Sequence, residues 1–113
     1  MTQLPDAVNA YFAAANDGMP DEFLAAFDEQ ACVLDFKRVF IGMEAIGEWS
    51  RSEVFGPKVR FVVTEAAEQD GDYAVIASVD GEFDKTNLPD PLLLKHAFKL
   101  SGDKIAEVAI SFP

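Results

Sequence analysis

The chain has 113 residues, of which 50% are hydrophobic and ten are Phe, and a formal net charge of −11. That is enough apolar material for one domain around one core, and it excludes a disordered chain. The acidity, with no basic stripe, argues against binding nucleic acid, anionic substrates or acidic membrane surfaces.

The first helix is expected from Pro5 to about Asn16, with Leu4, Val8, Tyr11, Phe12 and Ala15 on one apolar face. Pro5 suits a first helical turn, and Asn16–Asp17–Gly18 ends it, Gly18 being free to take positive φ. A short second helix is expected from about Pro20 to Phe27, with Phe23, Leu24 and Phe27 inward and Asp21 and Glu22 at its N-terminal end. Ala31–Phe36 reads as a short strand in which Val33 and Asp35 share a side. A third helix follows Gly42, turns Ala45, Ile46 and Trp49 inward and stops at Gly56–Pro57.

The remainder reads as strands. Val59, Phe61 and Val63 alternate with Lys58, Arg60 and Val62, and Asp70–Gly71–Asp72 is a hairpin turn into a strand over Tyr73–Phe83. Asn87–Leu88–Pro89–Asp90–Pro91 breaks the pattern as a loop, and Leu92–Leu100 and Ile105–Phe112 form a last hairpin around Ser101–Gly102–Asp103. Helices first and strands later argue an α+β fold with an antiparallel sheet. No repeat, linker or low-complexity segment divides the chain, so residues 1–113 are expected to form a single domain.

The longest apolar runs are short, as in Ala74–Val75–Ile76–Ala77, far from a membrane span. The first residues, Met1–Thr2–Gln3–Leu4–Pro5–Asp6, carry neither a basic region nor an apolar signal segment, so a cytoplasmic location is expected. Cys32 is the sole cysteine and His96 the sole histidine. No internal disulfide can form, and a zinc or iron site would rest mainly on carboxylates, a poor donor set for either metal. No metal is expected. No glycine-rich phosphate loop is present either, so no organic cofactor is implied.

Three polar residues sit on faces that otherwise read as core: Tyr11 on the first helix, Asp35 in phase with Val33, and His96 in phase with Leu92, Leu94, Phe98 and Leu100 while Lys95 and Lys99 point away. A buried polar group needs a partner or a role. Asp35 reads as a base, its proton affinity raised by an apolar pocket, or as a strand-end aspartate accepting backbone hydrogen bonds. Tyr11 reads as an oxyanion donor or a satisfied core tyrosine. His96 reads as a donor, a partner of Asp35 or a core histidine. Trp49, Phe61, Phe83 and Phe98 are candidates for lining a pocket for a flat apolar ligand, and equally ordinary core aromatics. Arg38, Arg51 and Glu53 are within reach of a pocket mouth or are solvated surface charges, and the 84–91 loop is either a lid or a connector.

Three stretches carry a family resemblance: Ala10–Tyr11–Phe12–Ala13–Ala14–Ala15–Asn16–Asp17–Gly18, then Phe27–Asp28–Glu29–Gln30–Ala31–Cys32–Val33–Leu34–Asp35, then Gly42–Met43–Glu44–Ala45–Ile46. With the order of elements they resemble the nuclear transport factor 2-like superfamily, a cone of helices on a curved antiparallel sheet, also described as cystatin-like. Within it the chain looks most like the SnoaL-like branch, which includes polyketide cyclases, and like the ketosteroid isomerases. The resemblance to the isomerases implies that Asp35 stands at the general base, Tyr11 at the oxyanion-hole tyrosine, and His96 where a protonated aspartate normally donates. It implies an isomerase, aldol-type cyclase or dehydratase acting on a small apolar carbonyl compound. The alternative is a non-catalytic domain that binds an apolar small molecule or a protein partner. A homodimer is expected through the outer sheet face, where Val62, Ala74, Ile76, Ala97 and Ala109 offer a flat, small-residue surface.

Overall fold

The computed structural model describes residues 2–113; Met1 lies outside the described residues. Helix α1 (Asp6–Asp17) buries Val8, Tyr11, Phe12 and Ala15, the stripe its spacing predicts, and ends at Gly18 with φ 67°. There the backbone N–H groups of Gly18 and Met19 return to the carbonyls of Ala15 and Ala14, satisfying helix-end acceptors in a left-handed cap. Asn16 does more than end the helix. Its side-chain amide donates to the Phe61 carbonyl at 2.9 Å and accepts from the Phe61 N–H at 2.7 Å, bracing α1 against the sheet.

Helix α2 (Pro20–Ala25) is shorter than expected. Phe27 belongs instead to strand β1 (Phe27–Asp35), which is longer than the Ala31–Phe36 reading. The chain then turns back into β2 (Arg38–Ile41), an edge strand absent from the sequence reading. Helix α3 (Met43–Ser50) buries Ile46 and Trp49 as expected, and passes into one π-helical turn (Arg51–Phe55) before Gly56. Strands β3 (Arg60–Gln69), β4 (Asp72–Asp80), β5 (Leu93–Ser101) and β6 (Lys104–Ser111) follow as hairpins. β4 stops at Asp80, so residues 81–92 form one long connection that includes Phe83.

The six strands lie in the order β2-β1-β6-β5-β4-β3. Four of the five neighbouring pairs are antiparallel, but β1 and β6 run parallel, so the expectation of a purely antiparallel sheet is corrected at that pair. β1 turns straight back into β2 on one side, and the chain reaches its other side only as the last strand. Register breaks occur in β3 between Val63 and Glu65, in β5 between Lys99 and Leu100, and in β1 between Phe27 and Cys32. Such irregularities increase local twist and bend the sheet toward the helices. The core lies between this concave face and the helices, with Tyr11, Phe23, Ile46, Val75, Phe98 and Ile105 fully buried. No helix among the described residues is long and apolar enough to cross a membrane.

Candidate active site

The sheet register explains how distant residues meet. Asp35 pairs with Ile110, and Ile110 pairs with His96. These three share one cross-sheet row on the concave face, with Ile110 between the two polar residues. Strands are about 4.8 Å apart, so the Asp35 and His96 backbones are separated by roughly 10 Å. Both His96 nitrogens lack a hydrogen-bond partner, so the two side chains are not bonded to each other, and both line one cavity. Tyr11 enters from above on α1, its ring edge-on to His96 with centroids 5.7 Å apart.

The resulting cavity has a volume of about 320 Å³ and is lined by Tyr11, Asp35 and His96 together. Trp49, Phe61 and Phe83 also line it. Phe98 does not. It is fully buried behind the cavity, stacked on His96 at an interplanar angle of 13° and edge-on to Tyr11. It is a core aromatic that backs the site. A larger groove of about 740 Å³ runs under the 81–92 connection and shares Val79, Phe83 and Leu92 with the inner cavity. Its polar groups, including Arg60, Asp80 and Lys85, are surface groups, and Tyr11, Asp35 and His96 do not line it.

The inner cavity combines one anchored carboxylate with three orphaned polar atoms. Asp35 Oδ2 accepts from Trp49 Nε1 at 3.0 Å and from Arg38 Nη2 at 2.5 Å. The other arm of Arg38 reaches Glu53 at 2.6 Å. Asp35 was expected in a dry apolar wall; it stands instead in a polar clamp of two donors, Trp49 and Arg38. Tyr11 Oη, His96 Nδ1 and His96 Nε2 are buried with no hydrogen-bond partner. Thus His96 is not paired with Asp35, and Tyr11 is not a satisfied core tyrosine. Burial, reinforced by the Asp35 charge, pushes the Tyr11 hydroxyl well above its ordinary value, so it remains a neutral O–H donor. Burial also pulls His96 down to about 4, opposed weakly by the nearby Leu94 carbonyl. At neutral pH His96 is an uncharged imidazole with one donor and one acceptor nitrogen.

Arg38 and Glu53 line the mouth of the cavity, whereas Arg51 is an exposed surface residue away from it. Sequence reasoning did not foresee the Trp49–Asp35 and Arg38–Asp35 contacts. The i,i+3 spacing of Asp35 and Arg38 was a usable signal for the second once a hairpin was placed between them. Among the described residues, no group of three or more His, Cys, Asp or Glu side chains is arranged to hold a metal ion.

No family model and no curated protein matches the sequence. Solved structures do match. A polyketide cyclase candidate from Sinorhizobium meliloti is 27% identical, superposes with a TM-score of 0.85, and the match covers 96% of this chain and 95% of that one. A protein with a ketosteroid isomerase-like fold from Catenulispora acidiphila is 18% identical with a TM-score of 0.78, over 97% of this chain and 87% of that one. A nuclear transport factor 2-like protein of unknown function from Cytophaga hutchinsonii is 15% identical with a TM-score of 0.77, over 100% and 95% of the two chains. The chain has the nuclear transport factor 2-like, cystatin-type fold that these structures share. That fold is an architecture which hosts many unrelated functions.

Proposed function

We propose that the inner cavity is an acid–base catalytic site for a small, uncharged, mostly apolar carbonyl compound. Asp35 takes a proton from the carbon next to the carbonyl. Tyr11 and neutral His96 donate hydrogen bonds to the oxygen as it becomes an enolate. Isomerisation, aldol-type cyclisation and dehydration all begin with this step. The observation that carries the reading is the set of buried, partnerless atoms, Tyr11 Oη and the His96 ring nitrogens, in the cavity that Asp35 also lines. Unpaired buried donors are costly in the empty protein and become useful when a ligand oxygen fills the space. The volume of about 320 Å³ lies at the lower end of small-molecule sites. A cytoplasmic setting suits the free Cys32 thiol. The chain is also proposed to act as a homodimer through the outer sheet face.

The test is enzyme-dependent exchange of the α protons of 1-tetralone for deuterium, followed by proton NMR in D2O. This reads proton abstraction directly, whatever the later chemistry. The wild-type protein should exchange the protons well above the buffer rate. Asp35→Asn should reduce the catalysed rate by about 100-fold or more, while binding, read from the fluorescence of Trp49, survives. If Asp35→Asn exchanges as fast as wild type, the base assignment is wrong. If wild type binds the ketone and never exceeds the buffer rate, the cavity is a binding site only.

A further inference from the structure

The clamp around Asp35 is asymmetric at the level of single atoms. Trp49 Nε1 and Arg38 Nη2 both donate to Oδ2. Among the described residues no group donates to Oδ1, and Oδ1 is not one of the fully buried unpartnered atoms. One oxygen is therefore anchored and the other is accessible and unengaged. Arg38 is itself fixed from two further sides. Its Nη1 is held by Glu53, and its guanidinium lies 5.6 Å from the centre of the Phe40 ring.

Each fixing contact has a structural origin. Arg38 and Asp35 face each other across the β1–β2 hairpin, where Phe36 takes φ 58° to make the tight turn. Glu53 lies in the π-helical turn, where the Gly56 N–H reaches back five residues to the Arg51 carbonyl at 2.8 Å. That wider turn brings Glu53 and Val54 to the cavity mouth. An isolated surface pair between Arg38 and Glu53 contributes little to stability, since Arg38 is 53% exposed. Its geometry nevertheless presents a planar fork of donors to two carboxylates at once.

We propose that Arg38, oriented by Glu53 and Phe40, is the positioning residue of this site: it pins Asp35 Oδ2 so that Oδ1 is the one oxygen presented to the substrate proton. This rests on the acid–base reading above. In the step it serves, the α C–H bond breaks as an O–H bond forms at Oδ1. The C–H electron pair moves into the new carbon–carbon double bond, and the carbonyl electron pair moves onto the oxygen held by Tyr11 and His96. The proton later returns from Oδ1 to a carbon of the product. A carboxylate free to rotate would offer either oxygen at many angles. Loss of reactive geometry of that kind costs about 10–100-fold in rate.

The test uses two readouts on the intact chain. The first is tetralone exchange. Arg38→Ala should lower the catalysed rate about 10–100-fold with binding little changed, and millimolar guanidinium should restore part of it. Arg38→Lys should stay impaired, because an ammonium cannot bridge both carboxylates. The second readout needs no substrate. Trp49 is the only tryptophan, so its indole Nε1–H gives a single cross-peak in a 15N–1H spectrum. Arg38→Ala should shift or broaden that peak, and guanidinium should move it back toward the wild-type position. An unchanged peak, or wild-type exchange in Arg38→Ala, overturns the positioning role while leaving Asp35 as the base. Absence of exchange in wild type removes the proposed function itself, and the indole peak alone then decides whether Arg38 orients the carboxylate.

Discussion

Tyr11 and His96 each place a polar group where the fold alone provides no partner, which costs about 1–3 kcal/mol per unsatisfied group. His96 gives the cleaner consequence because it titrates in an accessible range. In the native protein it stays neutral down to about 4, whereas an unfolded histidine takes up a proton near 6.5. Below pH 6.5 the unfolded state therefore binds more protons than the native state. The sign follows directly: stability attributable to His96 is fully present above pH 6.5 and is lost as pH falls toward 4. The loss amounts to at most about 3 kcal/mol. Urea unfolding midpoints measured across that window should fall with pH for wild type and fall much less for His96→Asn. Parallel curves for the two proteins would assign the acid sensitivity to other groups. The inward phase of Tyr11, Asp35 and His96 was legible because each broke an apolar periodicity. What surrounds Asp35 was not legible. The Trp49 contact depends on how α3 docks, which no local pattern specifies, and the Arg38 contact depends on an unrecognised strand.

Elements were readable where burial is one-sided and misread where it is not. α1, α3, β4 and β5 bury one face, so their period survives in the sequence. β2 is four residues long, on a sheet edge, with Val39 and Ile41 exposed at 58% and 71% and only Phe40 turned toward the core; a single inward residue leaves no alternation to read. Phe27 was assigned to a helix because Phe23, Leu24 and Phe27 fall at helical spacing, yet Phe27 pairs with Ile105 in the sheet. The parallel pairing of β1 with β6 joins segments more than 70 residues apart and leaves no local trace. Between elements, Asn16 is a brace that the sequence showed only as a helix stop. Its two hydrogen bonds to Phe61 fix α1 over β3, and Phe61 walls the cavity. Asn16→Ala should lower stability by about 1–3 kcal/mol, since it leaves the Phe61 N–H and carbonyl without these partners. It should also weaken tetralone binding as Phe61 loosens. Unchanged melting and unchanged binding would show that packing alone holds the helix in place.

The whole molecule has two faces with opposite demands. The concave face is filled by helices and the cavity, while the convex face is left open. Its register lines up Val39, Leu34, Ala109, Ala97, Ala74 and Ala67 across all six strands. Val39 and Leu34 at one end, with Val62 at 64% exposure on the opposite edge strand, make a flat apolar band rather than a scatter of single hydrophobics. Glu107 opposite Lys99, and Glu65 and Lys95 on either side of Ile76, flank the band with both signs of charge. A two-fold pairing of this face with a second copy would cover the band and set these charges at its rim. Against that stands the net charge of −11 on each chain, which repels a like copy. The two effects separate by salt. Apolar burial survives screening, while repulsion between exposed charges falls away as the Debye length shrinks from about 20 Å to about 6 Å between roughly 0.02 and 0.3 M salt. The proposed dimer should therefore tighten as salt rises, seen by light scattering as a mass moving toward twice that of the chain. Ala97→Arg, in the centre of the band, should hold the protein at the single-chain mass across the whole range without lowering its melting temperature by more than a few degrees. A wild-type protein that stays at the single-chain mass at high concentration and high salt would remove the dimer and leave the convex face solvent-exposed.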